Sequence, residues 1–220
     1  MKVYKFLMSA YFLERIFKPC RRRSDAILNC IETLREILIT KPAEGVYDLV
    51  VMVGKFQRIF FLSENKIYSV GFPYRLVELD NGHVSIFYDG ESEITNGLLA
   101  SADAVIKQHM RELDSDFSAF FDSMMEELGS ESAAWNFLLK IIMQEDSYLR
   151  YDLDEKHADD VKAHESVDLL NPKVVKHPLH HIDVFYSPDH TFKIGLSSAL
   201  DLPGILDILD PGTRCRMLEK

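Results

Sequence analysis

From Tyr47 onward the apolar residues of this chain turn β-branched and aromatic, and they come in short runs broken by turn residues. This pattern limits the fold more than any other feature, because a run of four to eight such residues between polar turns is a strand. Ile59-Phe60-Phe61-Leu62 meets Ser63-Glu64-Asn65-Lys66 and then Ile67-Tyr68-Ser69-Val70, which reads as a hairpin. Asn81-Gly82 reads as a two-residue hairpin turn, since both residues tolerate positive φ. That turn sets Asp80 opposite His83, Leu79 opposite Val84 and Val77 opposite Ile86, with Glu78 and Ser85 on the other face.

Helical spacing brackets this β-rich stretch. Ser24 stands where an N-cap belongs, ahead of Ile27, Ile31, Leu34 and Leu38, and Pro42 and Gly45 follow that helix. Leu98, Ala102, Val105, Ile106 and Leu113 form one stripe. Phe117, Phe120, Phe121, Met124 and Leu128 form a second, stopped by Gly129. Ser130 is placed to cap a third helix that turns Trp135, Leu138, Leu139 and Ile142 inward. These aromatic and methionine stripes are expected to be core.

Strand character returns at Tyr148–Leu153, at Ile182–Tyr186 and at Phe192–Leu196, the last two joined across Ser187-Pro188-Asp189-His190. Asp201 and Pro203 then open a short apolar helix that Asp210-Pro211-Gly212 ends. The order of elements is not a βαβ alternation. It predicts an α+β fold, a mostly antiparallel sheet with a central helical block and amphipathic helices near both termini. The expected organisation is a single domain over 1–220. Its possible subdivision is 1–95, a helix plus a β-meander, and 96–220, the helical block plus C-terminal strands.

Charge narrows the function classes. Against 25 Lys and Arg stand 35 Asp and Glu, a formal net charge of -10, so broad binding to a phosphate backbone is disfavoured and nucleic acid would need a local patch. Residues 91–170 hold 19 acidic and 6 basic residues, an asymmetry that suits a basic protein partner or a wet helical face. Arg21-Arg22-Arg23 is the only basic run and reads as a solvated segment between helices. The three cysteines, Cys20, Cys30 and Cys215, have no paired spacing, which argues against a disulfide framework or a thiolate zinc site. Glu14 and Arg15 interrupt the N-terminal apolar run too early for a signal peptide, and no window is apolar enough to span a bilayer. The expectation is a cytoplasmic protein without membrane insertion, of unspecified oligomeric state.

The densest polar constellation is His177-Pro178-Leu179-His180-His181-Ile182-Asp183. Imidazoles and a carboxylate this close offer a metal site or a proton-transfer pair, and they equally suit the capping of loop carbonyls. His181 and Asp183, two apart on a strand, share a face. Upstream, Arg150-Tyr151-Asp152-Leu153-Asp154 alternates so that Arg150, Asp152 and Asp154 lie together. If the two strands are neighbours, carboxylates and imidazoles converge and a divalent ion fits. The candidate catalytic residues are therefore His177, His180, His181, Asp183 and Asp152, and the candidate metal ligands Asp152, Asp154, His180 and Asp183. The competing reading is a charged edge with Arg150 paired to one aspartate. His157 and His164 stand in an acidic segment and carry less weight.

Several familiar chemistries are absent from the sequence. HExxH is missing, as are the paired cysteines of a zinc deaminase. Val53-Gly54-Lys55 lacks the spaced glycines and the hydroxyl residue of a P-loop, and no G-x-S-x-G elbow occurs.

LRYDLD at 149–154, HPLHHIDV at 177–184 and FKIGLSSAL at 192–200, behind a helix carrying Trp135, form a recognisable set. Over about residues 130–210 the chain resembles an uncharacterised bacterial family often encoded beside restriction or anti-phage defence genes. His177, His180 and His181 match that family's histidine-rich element, and Asp183 stands where many members carry histidine. The resemblance implies an accessory, partner-binding component of a multi-protein defence system. The alternatives are a metal-dependent hydrolase or nuclease built on the Asp/His cluster, and a ligand sensor on a degenerate enzyme-like fold.

Overall fold

A computed structural model describes every residue except 19, 21, 131, 145–147, 156–177, 185–191, 211 and 213–220. The fold is α+β, as the order of elements predicts. Seven strands form one antiparallel sheet: β1 (Lys2–Phe6), β2 (Leu49–Val53), β3 (Arg58–Leu62), β4 (Lys66–Gly71), β7 (Leu149–Leu153), β8 (His180–Val184) and β9 (Phe192–Leu196), adjacent in that order. A separate hairpin, β5 (Arg75–Glu78) and β6 (Val84–Phe87), completes the β-structure among the described residues. The helices are α1 (Ala10–Ile16), α2 (Arg23–Ile39), α3 (Asn96–Gln108), α4 (Met110–Ser115), α5 (Phe117–Leu128), α6 (Ala133–Gln144) and α7 (Leu202–Leu209).

The sheet is buried on both sides at its centre, which is why β2 reads as an unbroken apolar run, LVVMV. Leu49, Val51, Ile59, Phe61, Tyr68 and Val70 face the large core built by the helices and the hairpin. Val50, Met52, Phe60 and Ile67 face a smaller core closed by Ile205 of α7. Each fully buried phenylalanine contributes about 2 kcal/mol from removal of apolar surface from water. The β4–β7 pairing joins residues from 1–95 and from 96–220 in this one sheet.

Local chemistry sets the helix ends. Thr95 and Asp116 cap α3 and α5 through their side chains, and Gly129, at φ +73, terminates α5 as its position after Leu128 predicts. Asp201 caps α7 by accepting the Gly204 N–H, with Pro203 in the first turn. Two expected caps are displaced. Ser132, not Ser130, accepts the Trp135 N–H at the start of α6. Ser24 lies inside α2, fully buried, and both its N–H and its hydroxyl donate to Asp114 of α4.

The β5–β6 register also differs from expectation. Glu78 pairs with Val84, Val77 with Ser85 and Leu76 with Ile86. Leu79 N–H donates to the His83 carbonyl, so the connection is the three-residue loop Asp80-Asn81-Gly82 with Gly82 at φ +81. A one-residue slip exchanges the faces of a strand. Leu76 is therefore buried, and Leu79 is exposed.

No helix among the described residues is long and apolar enough to cross a membrane. Cys20 and Cys30 are buried and not joined in a disulfide, while Cys215 lies outside the described residues.

Candidate metal centre

Where the sheet passes from β4 to β7 and β8, the face shared with the large core changes from apolar to ionic. Tyr68 of β4 is registered with Arg150 of β7, and Arg150 with Asp183 of β8. One step along, Lys66 is registered with Asp152, and Asp152 with His181. Registered residues of antiparallel strands share a face, so Lys66, Arg150, Asp152, His181 and Asp183 form one patch. The opposite faces of the same strands stay apolar: Leu149, Tyr151, Ile182 and Val184 belong to the smaller core.

Asp152 is the centre of the patch and is buried. Arg150 Nε lies 2.8 Å from Asp152 Oδ2, and Lys66 Nζ lies 3.9 Å from Oδ1. Burial works against the Arg150 guanidinium, but Asp152 and then Tyr148 outweigh it and raise the group above its ordinary value. Burial likewise holds the Tyr148 phenol above its usual range, with Arg150 opposing.

His181, 1% exposed, has its Nδ1 3.0 Å from the carbonyl oxygen of Pro178. A carbonyl only accepts, so Nδ1 carries the proton and donates it there, and Nε2 presents its lone pair in the neutral ring. Nε2 lies 3.8 Å from Asp152 Oδ2 and 3.8 Å from Asp183 Oδ1. A donor atom from each of Asp152, His181 and Asp183 thus falls within 4.8 Å of the other two. Ligands bound at about 2.0–2.2 Å around one ion stand about 3.0–3.5 Å apart. An ion would have to draw His181 Nε2 and each carboxylate together by about 0.3–0.8 Å, and the two carboxylates by as much as about 1.3–1.8 Å.

One imidazole and two carboxylates suit a divalent ion such as Mn²⁺, Fe²⁺ or Zn²⁺. Three protein ligands leave coordination positions for water or substrate, as catalytic sites require. The Nδ1–H bond to a backbone carbonyl is the support that metal-binding histidines receive, fixing tautomer and ring plane together.

The geometry corrects part of the expected ligand set. His180 occupies the other face of β8: its Nδ1 is 3.1 Å from Tyr151 Oη, and the two rings lie nearly parallel. It is His181 that meets Asp152 and Asp183. The physical reason is that β8 begins at His180 rather than at Ile182, so alternation already governs the histidine pair. Asp154 follows the end of β7, where its N–H donates to the Leu179 carbonyl, and it is not part of the three-residue group. His177, His157 and His164 lie outside the described residues.

Two contributors were not singled out in the sequence. Lys66 closes the hairpin turn and reaches the site only through the long-range β4–β7 pairing. Gly195 of β9, registered with His181, leaves room for Pro178: a Cβ there would meet Pro178 Cγ at 2.9 Å. The signal for it is a glycine inside a strand, FKIGL.

Cys20, near enough for its thiol to feel Arg150, is pushed up to about 11 by burial, a hydrogen bond from Asn29 opposing. It is therefore a protonated, unreactive thiol at neutral pH. Compared with family models, curated proteins and solved structures, the chain matches none.

Proposed function

We propose that this chain is a divalent-cation-dependent hydrolase whose ion is held by Asp152, His181 and Asp183. The observation that carries the reading is the bond from His181 to the Pro178 carbonyl, which turns Nε2 toward two carboxylates. Arg150 and Lys66 both attend Asp152, and the His181 imidazole stands 3.8 Å from an oxygen of each of the two acids. This convergence favours the enzyme over the partner-binding role that the resemblance to a defence-associated family implies.

The chemistry follows from the ligand set. A bound divalent ion acidifies water toward neutrality and polarises a substrate oxygen. Asp183 is more exposed than Asp152, with side-chain exposures of 15% and 5%, and is the carboxylate placed to accept the proton of that water. Arg150 orients Asp152, the ligand it touches.

The test is hydrolysis of p-nitrophenyl esters by the full chain, stripped with EDTA and then resupplied with Mn²⁺ or Zn²⁺. The reading expects turnover that the chelator abolishes and the ion restores, and a loss of about a hundredfold or more in Asp183→Asn. An ion that binds without any turnover makes the protein a sensor. Turnover indifferent to chelator ends the proposal.

A further inference from the structure

We infer that the metal centre takes a phosphate monoester, held as its dianion by the ion together with Lys66 and Arg150. The inference rests on the metal reading above and deepens it by naming the substrate class. It starts from charge. Asp152 and Asp183 contribute two negative charges, Lys66 and Arg150 two positive ones, and Lys193, registered with Asp183 on β9, adds a third, so positive charge already exceeds negative on this part of the sheet. A divalent ion on the two carboxylates leaves the basic groups uncompensated next to a buried site. Such a surplus is costly in a low-dielectric setting unless an anion joins it.

A surplus of two or more positive charges favours a dianion over a monoanion. A phosphate monoester carries about -1.5 to -2 near pH 7 and offers three acceptor oxygens, whereas a phosphodiester carries a single charge. The donors are placed for it. Lys66 Nζ stands 3.9 Å from Asp152 with its side chain 36% exposed, so its ammonium sits at the solvent side of the patch and can turn to a ligand. Arg150 uses Nε on Asp152 and also hydrogen-bonds Tyr148, and the remaining N–H donors of its planar guanidinium suit phosphate. The chain's charge of -10 repels a polyanion at a distance, which favours a small ester over a nucleic-acid backbone. In the reaction, water adds to phosphorus as the P–O ester bond breaks. The leaving oxygen takes a proton, and the products are an alcohol and inorganic phosphate.

Calorimetric titration of the EDTA-stripped full chain, first with Mn²⁺ alone and then with inorganic phosphate, tests this. Phosphate is expected to bind the Mn²⁺-loaded protein about tenfold or more tighter than the stripped protein. Lys66→Met is expected to weaken phosphate about tenfold while Mn²⁺ binds as tightly or more tightly, because a neighbouring positive charge is gone. Lys66→Arg is expected to restore phosphate binding, and p-nitrophenyl phosphate to turn over faster than bis(p-nitrophenyl) phosphate. Mn²⁺ binding without phosphate binding, or Lys66→Met with wild-type phosphate affinity, overturns the inference and leaves the metal centre standing. Faster turnover of the diester overturns the monoester assignment. Absence of Mn²⁺ binding overturns the inference together with the metal reading.

Discussion

His181 and Pro178 are joined by a hydrogen bond of 3.0 Å from the ring Nδ1–H to the backbone carbonyl, and Pro178 in turn packs over Gly195. A proline three residues earlier thus decides which imidazole nitrogen faces the acids. Gly195→Ala would drive a methyl to 2.9 Å from Pro178 Cγ and force the proline outward. Overpacking of this kind costs about 1–3 kcal/mol. Urea denaturation is expected to show that loss, and Mn²⁺ titration a weakened affinity in the same variant. Unchanged stability and affinity would mean that the proline does not hold the ring.

The β5–β6 hairpin supplies a test of register. Leu76 is 5% exposed and Leu79 42% exposed, the reverse of what a two-residue turn at Asn81-Gly82 demands. Leu76→Ala is expected to cost about 2–4 kcal/mol, and Leu79→Ala less than about 0.5 kcal/mol. Equilibrium unfolding of the two variants decides between the registers, and equal losses would contradict the slip.

These cases show which features are legible in the sequence. The β3–β4 hairpin, the Gly129 stop and the Asp201 cap follow from residues next to one another, and the structure has them where the pattern puts them. The Asn81-Gly82 turn suits loops of two or three residues equally, and only packing against the core separates them. Ser24 has the chemistry of a cap, but a partner 90 residues away takes its hydroxyl. At the site, the shared face of Arg150 and Asp152 and that of His181 and Asp183 are readable from alternation alone. Choosing between His180 and His181 requires knowing where β8 starts, which its pairing with β7 sets. Lys66 is invisible without the β4–β7 contact, which no local pattern encodes.

Asp114 bonds both the N–H and the hydroxyl of Ser24 and so anchors the first turn of α2 from a different helix. Asp114→Ala leaves two buried donors unsatisfied and is expected to cost about 2–4 kcal/mol. The expected readout is a lower urea midpoint with an unchanged m-value. A loss below about 0.5 kcal/mol would show that water replaces the carboxylate.

Cys20 gives a pH dependence of known sign. Its thiol is raised from 9.0 to about 11 by burial, so the folded chain keeps a proton that the unfolded chain releases. The contribution to stability is complete below about pH 9 and is lost as pH rises through about 11. Alkylation of Cys20 by iodoacetamide under native conditions is expected to be far slower at pH 8 than that of a model thiol and to accelerate only toward pH 11. Rapid modification at pH 8 would contradict the burial.

Equilibrium dialysis against Mn²⁺, with metal analysis of His181→Gln and His180→Gln beside the native chain, tests the metal centre most directly. The account predicts a single ion per chain in the native protein, retention of it in His180→Gln, and its loss in His181→Gln with an unaltered circular dichroism spectrum. No ion in the native chain, or loss in His180→Gln with retention in His181→Gln, would contradict it.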